Sequence, residues 1–405
     1  MKHNTNLDAD LIIIGGGVAG TALACALKDS GLNIIMIEAQ SLENVTKKKL
    51  AYALSLLSGA IFKGIGVWDQ IFPNVGKFEH IRLSDADHGN IIHFEKEDLN
   101  TQFLGYVGEH QYVLKPLQEL SQKCKNITWF PSSKLIDIIE EKDSITVTIE
   151  RENQTQKLTA KLLVGADGAK SKVRQWAKIE TKGWKYWQSC VAFKIKHTAP
   201  VNNIAFERFW YNGPMGILPL PDHCCQIVWT NPHEESKNLV EMPEKDFLER
   251  LKIRTGGVLG DLTLVGERGL FPVQLMQSDR YIQSRLALVG DAAHGCHPVG
   301  GQGLNLGIRD IAALAQVLQD AIARGEDIGT ISVLKRYQNW RKKENWLILG
   351  FTDFLDRIFS TDFLPVVLIR RFGLWLMKNL PPFKLFALKL MTGLKGQRPN
   401  LAKVI

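Results

Sequence analysis

The apolar positions of this chain change period along its length, and each change marks an element. Asp10-Leu11-Ile12-Ile13-Ile14 is a short, continuously apolar run of the kind buried on both faces of a parallel sheet. It leads into Gly15-Gly16-Gly17-Val18-Ala19-Gly20 and then into Thr21 to Leu27, a helix of small and apolar residues that Gly31 closes. Asn33-Ile34-Ile35-Met36-Ile37 forms a second buried strand ending at Glu38, which completes a βαβ unit. Asp143 to Glu150 alternates and reads as a strand. Lys161-Leu162-Leu163-Val164-Gly165 is another, running into Ala166-Asp167-Gly168. From about Trp184 to Leu275 the pattern becomes β-rich, with Trp and Phe among polar residues and several Gly, Pro and Asn turns. Leu286-Ala287-Leu288-Val289-Gly290 returns to a buried parallel strand, followed by a helix from about Gly303 to Arg324. Helices then continue to the end, broken at Pro365 and Pro381-Pro382.

This succession predicts an α/β plus β fold. A Rossmann-like dinucleotide-binding domain is assembled from residues 1–75, 101–180 and 276–340. A mixed-sheet domain from 76–100 and 181–275 is inserted into it, and a basic, amphipathic helical region covers 341–405. The 405 residues, 45% hydrophobic and 23% charged, suffice for a sizeable core and exclude disorder. Six scattered cysteines with no C-x-x-C pair exclude a disulfide scaffold and a thiolate zinc site, and no metal is expected. With no signal sequence at the polar N-terminus, a reducing cytoplasmic compartment is expected.

Charge sharpens the reading of the C-terminal region. The net +8 comes mostly from residues after Asp362, where eight cations stand against that one acid from Thr361 onward, leaving the rest nearly neutral. This argues against a nucleic-acid-binding body. Phe363 to Leu380 is too interrupted by Arg370, Arg371 and Lys378 to span a bilayer. On a helix those cations share an arc of about 100° opposite Leu368, Ile369, Phe372, Trp375 and Leu376, with Leu374 and Asn379 on the wrong sides. Two readings stay open: a helix lying on an anionic membrane surface as a peripheral anchor, or one packed on the protein's own body.

The first glycine cluster has the context that makes its spacing meaningful. It leaves a buried strand, opens a helix and is followed by an acid, Glu38, 18 residues past Gly20. Gly15 allows the tight turn, Gly17 admits a pyrophosphate to the backbone, and Gly20 permits close helix–strand packing. Val18 and Ala19 carry the free N–H groups of the helix start, whose dipole favours phosphate, and Glu38 can accept hydrogen bonds from a ribose. The segment Gly165 to Arg174 also follows a strand and begins a helix, so its Asp, Gly and Ser residues sit in a loop near the first site. Asp291, in Gly290-Asp291-Ala292-Ala293-His294, stands at the carboxyl end of a third strand, where ligands of open α/β sheets bind. Pro298-Val299-Gly300-Gly301-Gln302-Gly303-Leu304-Asn305 then opens another helix.

Together these three motifs resemble the group A flavoprotein aromatic hydroxylases. The stretch Leu288 to Asp310, LVGDAAHGCHPVGGQGLNLGIRD, is most similar to the branch that hydroxylates ubiquinone precursors, the polyprenylphenol hydroxylases. The resemblance extends to Leu104-Gly105-Tyr106-Val107, Ala205-Phe206-Glu207-Arg208-Phe209, Leu218-Pro219-Leu220 and Arg336-Tyr337. It implies FAD as cofactor, with Asp291 on its ribityl chain, the backbone of Gly301, Gly303, Leu304 and Asn305 at its pyrimidine edge, and Gln111 facing the flavin. A helix N-terminus at that edge suits the negative charge of reduced flavin. The resemblance also implies NAD(P)H as co-substrate without a second Rossmann unit, with Asp167 and Arg174 as candidates where the two cofactors meet and a purely structural cap as the alternative. O2 is then activated as a flavin C4a-hydroperoxide and one oxygen passes to a prenylated phenol. Pro298 would cover the flavin on the substrate side, His297 and His294 would tune the phenol's proton, and Phe209, Trp210, Leu218 and Pro219 would wall the pocket. Other quinone-biosynthesis proteins are implied as partners.

Three positions depart from the family. Leu50 stands where an arginine is usual, with Lys49 as a nearby substitute, and Gly295 and Gly300 replace bulkier residues, so that a roomier loop is expected. The rival readings are a flavin-dependent prenyl reductase, a halogenase (disfavoured because Trp184-Lys185-Tyr186-Trp187 lacks the W-x-W-x-I-P continuation), and a non-catalytic FAD-binding subunit of a quinone-synthesis complex.

Overall fold

A computed structural model describes residues 7–85 and 91–403; residues 1–6, 86–90 and 404–405 of the expected domains lie outside the described residues. The opening apolar runs become β1 (Ala9–Ile14), α1 (Val18–Ala26) and β2 (Ile34–Ile37). Next in the same sheet come β3 (Ile127–Phe130), β4 (Gln154–Gly165) and β5 (Leu286–Leu288). Their order is β5-β4-β1-β2-β3, all parallel. Both faces of this sheet are covered, which is why its strands are apolar without alternation: Leu11, Ile12 and Ile13 are fully buried. The third helix-opening motif leads into α2 (Gln302–Ala323), whose inner face packs on α1.

The second sheet has eight strands and is mostly antiparallel. Its long strands, Thr181–His197 and Leu262–Ser278, pair along their length. The strand Ile204–Phe209 pairs parallel with His80–Asp85, which pairs in turn with Ile91–Glu95, so these two strands join the inserted sheet. Gly76–Phe78 does not: it pairs with Gly105–Glu109 in a separate three-stranded sheet together with Ala51–Leu54.

The boundary expected between residues 340 and 341 falls inside one continuous helix, α3 (Ile331–Phe359). Continuity follows from Arg341, which is buried and donates to Asp310 of α2 at 2.9 Å. An arginine fixed to the core cannot begin a detached region. After α3 come α4 (Leu364–Asn379) and α5 (Pro381–Met391), each with proline in its first turn, where the missing N–H costs nothing.

The predicted cationic arc of α4 is split. Arg370 faces the body, donates from Nε to Asp85 at 2.9 Å and covers the carbonyls of Ile358, Phe359 and Thr361. Val367 and Leu374 are buried beside it, so the position of Leu374 among the cations marks the packed side. Leu368, Ile369, Phe372 and Trp375 are 50–63% exposed. Among the described residues no helix is long and apolar enough to cross a membrane.

Candidate functional site

A cavity of about 960 Å³ runs from the carboxyl ends of β1, β2, β4 and β5 into the space between the second sheet and the C-terminal helices. At its first end, each glycine of the opening turn has a distinct steric reason. Gly15 has φ +111°, and a Cβ there would lie 2.3 Å from the Ala166 carbonyl oxygen. A Cβ on Gly20 would lie 2.0 Å from the Gly15 oxygen, so the helix could not approach the strand. Gly17, which caps α1, meets nothing within 4 Å and lines the cavity with Val18 and Ala19. Glu38 also lines it, and its carboxylate is oriented by the N–H groups of Gly16 at 2.7 Å and Gln40 at 2.8 Å.

Asp291 faces the same cavity. Its surface opens into the cleft, while the surrounding protein and nearby Asp310 raise its pKa, with His294 opposing. Asp167 is divided between roles. One carboxylate oxygen accepts the N–H groups of Lys172 at 2.7 Å and Val173 at 3.2 Å; the other is buried with no protein partner. Arg174 is a structural tie, donating to the carbonyls of Ala292 and Ala169, and lies outside the lining.

The third motif forms the opposite lip. Gly300 and Gly301 both adopt left-handed φ values, +66° and +59°, turning the chain into α2 so that Gly303, Leu304 and Asn305 line the cavity at its N-terminus. The Asn305 side chain locks this lip: it accepts from Ser55 N at 2.8 Å and Ser58 Oγ at 2.7 Å and donates to the carbonyls of Ala53 and Gly301. Pro298 lines the cavity beside it. The room expected at Gly300 is taken by Met391 of α5, whose Cε would lie 2.1 Å from an added Cβ.

Several expected residues stand elsewhere. Gln111 is exposed, reaches Glu109 at 3.2 Å and does not line the cavity. It is the second residue of the helix His110–Lys123, and the step of about 100° per residue brings His110 to the lining instead. His110 bridges Tyr52 Oη at 2.8 Å and the Val45 carbonyl at 2.9 Å.

His297 is fully buried outside the lining, edge-on to Tyr186 and 3.4 Å from Asp356; burial pushes its pKa down to about 3. A neutral, enclosed imidazole cannot reach a substrate in the cavity. His294 likewise turns away, to Asp310 at 2.6 Å. Phe209 and Leu218 are in the wall, whereas Trp210 stacks on Arg254 and Pro219 packs its carbonyl on Gly76. Lys49 reaches out to Glu267, and its neighbour Lys48 lines the cavity instead.

Sequence reasoning also missed two groups: Glu207, inside the cavity wall, and the C-terminal residues Met377, Ala387, Leu388 and Met391 that close its apolar end. Only the alternation of the strand Ile204–Phe209 hinted at the first.

The donors and acceptors fit FAD. Open space stands over Gly17 at a helix start, an acid lies at Glu38, a cleft-facing carboxylate at Asp291 and a second helix start at the far lip. Comparison with known proteins agrees. The model of the FAD binding domain family matches residues 8–352. The chain is 54% identical over 398 residues to the uncharacterized protein slr1300 of Synechocystis sp., covering 98% of this chain and 96% of that one. It is 33% identical to the ubiquinone hydroxylase UbiL of Rhodospirillum rubrum, covering 93% and 87%. Its fold matches the crystal structure of p-nitrophenol 4-monooxygenase PnpA from Pseudomonas putida with a TM-score of 0.80 at 19% identity, covering 96% and 98%.

Proposed function

The chain belongs to the FAD binding domain family and is a FAD-dependent monooxygenase of its ubiquinone hydroxylase branch; from that premise we propose that it hydroxylates the ring of a prenylated phenol with NAD(P)H and O2. The observation that carries this is the continuity of the cavity. One space joins the Gly17 and Asp291 end to a chamber walled by Leu83, Phe94, Phe209, Leu218, Leu355 and Leu388.

In this reading Gly17, Val18 and Ala19 hold the diphosphate, Glu38 the adenosine ribose and Asp291 the ribityl hydroxyls. The unpartnered oxygen of Asp167 offers one more acceptor at the same end. The backbone of Gly301, Gly303, Leu304 and Asn305 meets the pyrimidine edge, where a helix start stabilises negative charge. Bound FAD supplies hydride acceptance and oxygen activation. Pro298 and the apolar wall hold the ring close and exclude water, which otherwise diverts the oxidising equivalents to hydrogen peroxide. The apolar lining of the chamber, which reaches Met377 and Leu388, suits an isoprenoid tail.

The test is direct. Purified, FAD-loaded protein is given NAD(P)H, O2 and a prenylphenol, and the product is read by mass spectrometry against NAD(P)H consumed. Formation of a product heavier by one oxygen, coupled to NAD(P)H, is expected. Equal NAD(P)H oxidation with and without phenol, and no oxygenated product, would overturn the substrate assignment.

A further inference from the structure

The inserted sheet and the C-terminal helices give the cavity an almost wholly apolar lining. Among the described residues they contribute, Glu207 is the one carboxylate. An isolated carboxylate in such a wall costs several kcal/mol unless something bonds it. The Gly300 backbone amide lies at this carboxylate and favours its charged form, next to the lip that carries Pro298. Across the sheet Glu207 pairs with Gly216, and a Cβ there would sit 3.8 Å from its Oε2, so the missing side chain keeps the space in front of the carboxylate clear. Its other cross-strand neighbour is Leu83. Arg208, next in the strand, reaches toward Gly256. The strand Met215–Leu220 carries no ionisable side chain, and His80, Arg82 and Asp85 occupy other positions of their strand.

We propose that the Glu207 carboxylate accepts the hydroxyl proton of the phenolic substrate during ring oxygenation, an assignment that rests on the substrate class proposed above. The balance is as follows. The phenol O–H bond breaks and its proton passes to Glu207 as the electron pair of that oxygen moves into the ring. A ring carbon forms its C–O bond with one oxygen of O2 as the O–O bond breaks. NAD(P)H and one solvent proton supply the two electrons and the hydrogens, and the second oxygen leaves as water with the proton that the ring carbon gives up. That carbon then loses its own proton as aromaticity returns, and the substrate oxygen regains a proton from Glu207, which ends ionised. Burial lifts the Glu207 pKa to about 7, closer to a phenol's than an exposed glutamate's.

The experiment uses FAD-loaded wild type, Glu207→Gln and Glu207→Leu, with 2-geranylphenol and its methyl ether as the probe pair. Flavin absorbance and thermal melting check that each variant folds and takes up FAD. Wild type is expected to bind the phenol at least ~10-fold tighter than the ether, because only the phenol can donate to a carboxylate. Glu207→Leu is expected to lose that preference while binding the ether as before. Glu207→Gln is expected to hydroxylate ~10²-fold more slowly near neutral pH, with the loss shrinking as the pH approaches the phenol's own pKa. A Glu207→Leu variant that keeps the full phenol preference would overturn the assignment and leave the substrate class intact. Wild type that binds neither probe would overturn the substrate class, and the assignment with it.

Discussion

At the scale of single residues, Gly17 and Gly20 of the first turn make opposite demands. A methyl group on Gly20 meets backbone 2.0 Å away, and one on Gly17 meets nothing. Gly20→Ala is therefore expected to lower the stability of the FAD-free protein by about 1–3 kcal/mol, as overpacking does. Gly17→Ala is expected to leave the FAD-free melting temperature unchanged and weaken FAD at least ~10-fold, because the methyl group occupies the diphosphate's approach. Thermal melts of the FAD-free protein and flavin titration separate the two; equal effects of both changes on both readouts would contradict these placements. The close packing at Gly20 was legible in the sequence because strand, glycine spacing and helix all constrain one another. Gln111 was not, since a helix start uncertain by one residue turns a side chain by about 100°, enough to exchange it for His110 at the cavity.

At the scale of elements, Asp310 binds the third motif to both core helices. Its carboxylate accepts from Gly290 N at 3.1 Å, His294 Nε2 at 2.6 Å, Arg341 Nε at 2.9 Å and Asn345 Nδ2 at 3.0 Å, all buried. Burial by itself would raise its pKa, but His294 and Arg341 outweigh that and hold it at about 2. A carboxylate with a depressed folded pKa stabilises the fold above its unfolded value near 4 and loses that contribution as pH falls toward 2. The contribution is about 2 kcal/mol at neutral pH. Asp310→Asn should therefore be less stable than wild type near neutrality, with the gap narrowing below about pH 4 in urea titrations. A gap constant with pH would show that packing, not charge, holds the network. The strands and helices here were legible as apolar runs, and so was the existence of α2. The network was not, because its members come from positions 290, 294, 310, 341 and 345, and nothing in a linear pattern says that an arginine in the middle of an amphipathic helix is buried. The boundary set at residue 340 fails for that reason.

At the scale of the whole molecule, α4 and α5 form a single layer between the cavity and the outside. Met377, Ala387 and Leu388 line the chamber, while Leu368, Ile369, Phe372, Trp375, Phe383 and Phe386 are 47–63% exposed on the other side. Such a contiguous apolar face is unusual on a free surface. Exposed Lys378 and Lys389 stand beside it, while Arg370, which the sequence alone placed with Lys378, is spent on Asp85. We propose that this face lies on an anionic bilayer, where a prenylated substrate dissolves, one helix layer from the chamber. Removing everything after Thr361 would not test this, because Arg370, Leu374, Leu388 and Leu390 from that segment are buried in the body. Leu368→Ser, Phe372→Ser and Trp375→Ser together remove only exposed apolar surface, so folding and FAD content should stay unchanged. The triple variant is expected to bind vesicles containing anionic lipid at least ~10-fold more weakly, each lost side chain giving up on the order of 1 kcal/mol of burial in the interface. It is also expected to lose turnover of a long-chain phenol presented in those vesicles, and to keep turnover of a short-chain phenol dissolved in buffer. Vesicle affinity equal to wild type would assign the face to a protein partner instead, and loss of turnover on both substrates would mean that α4 supports the chamber rather than its access to lipid.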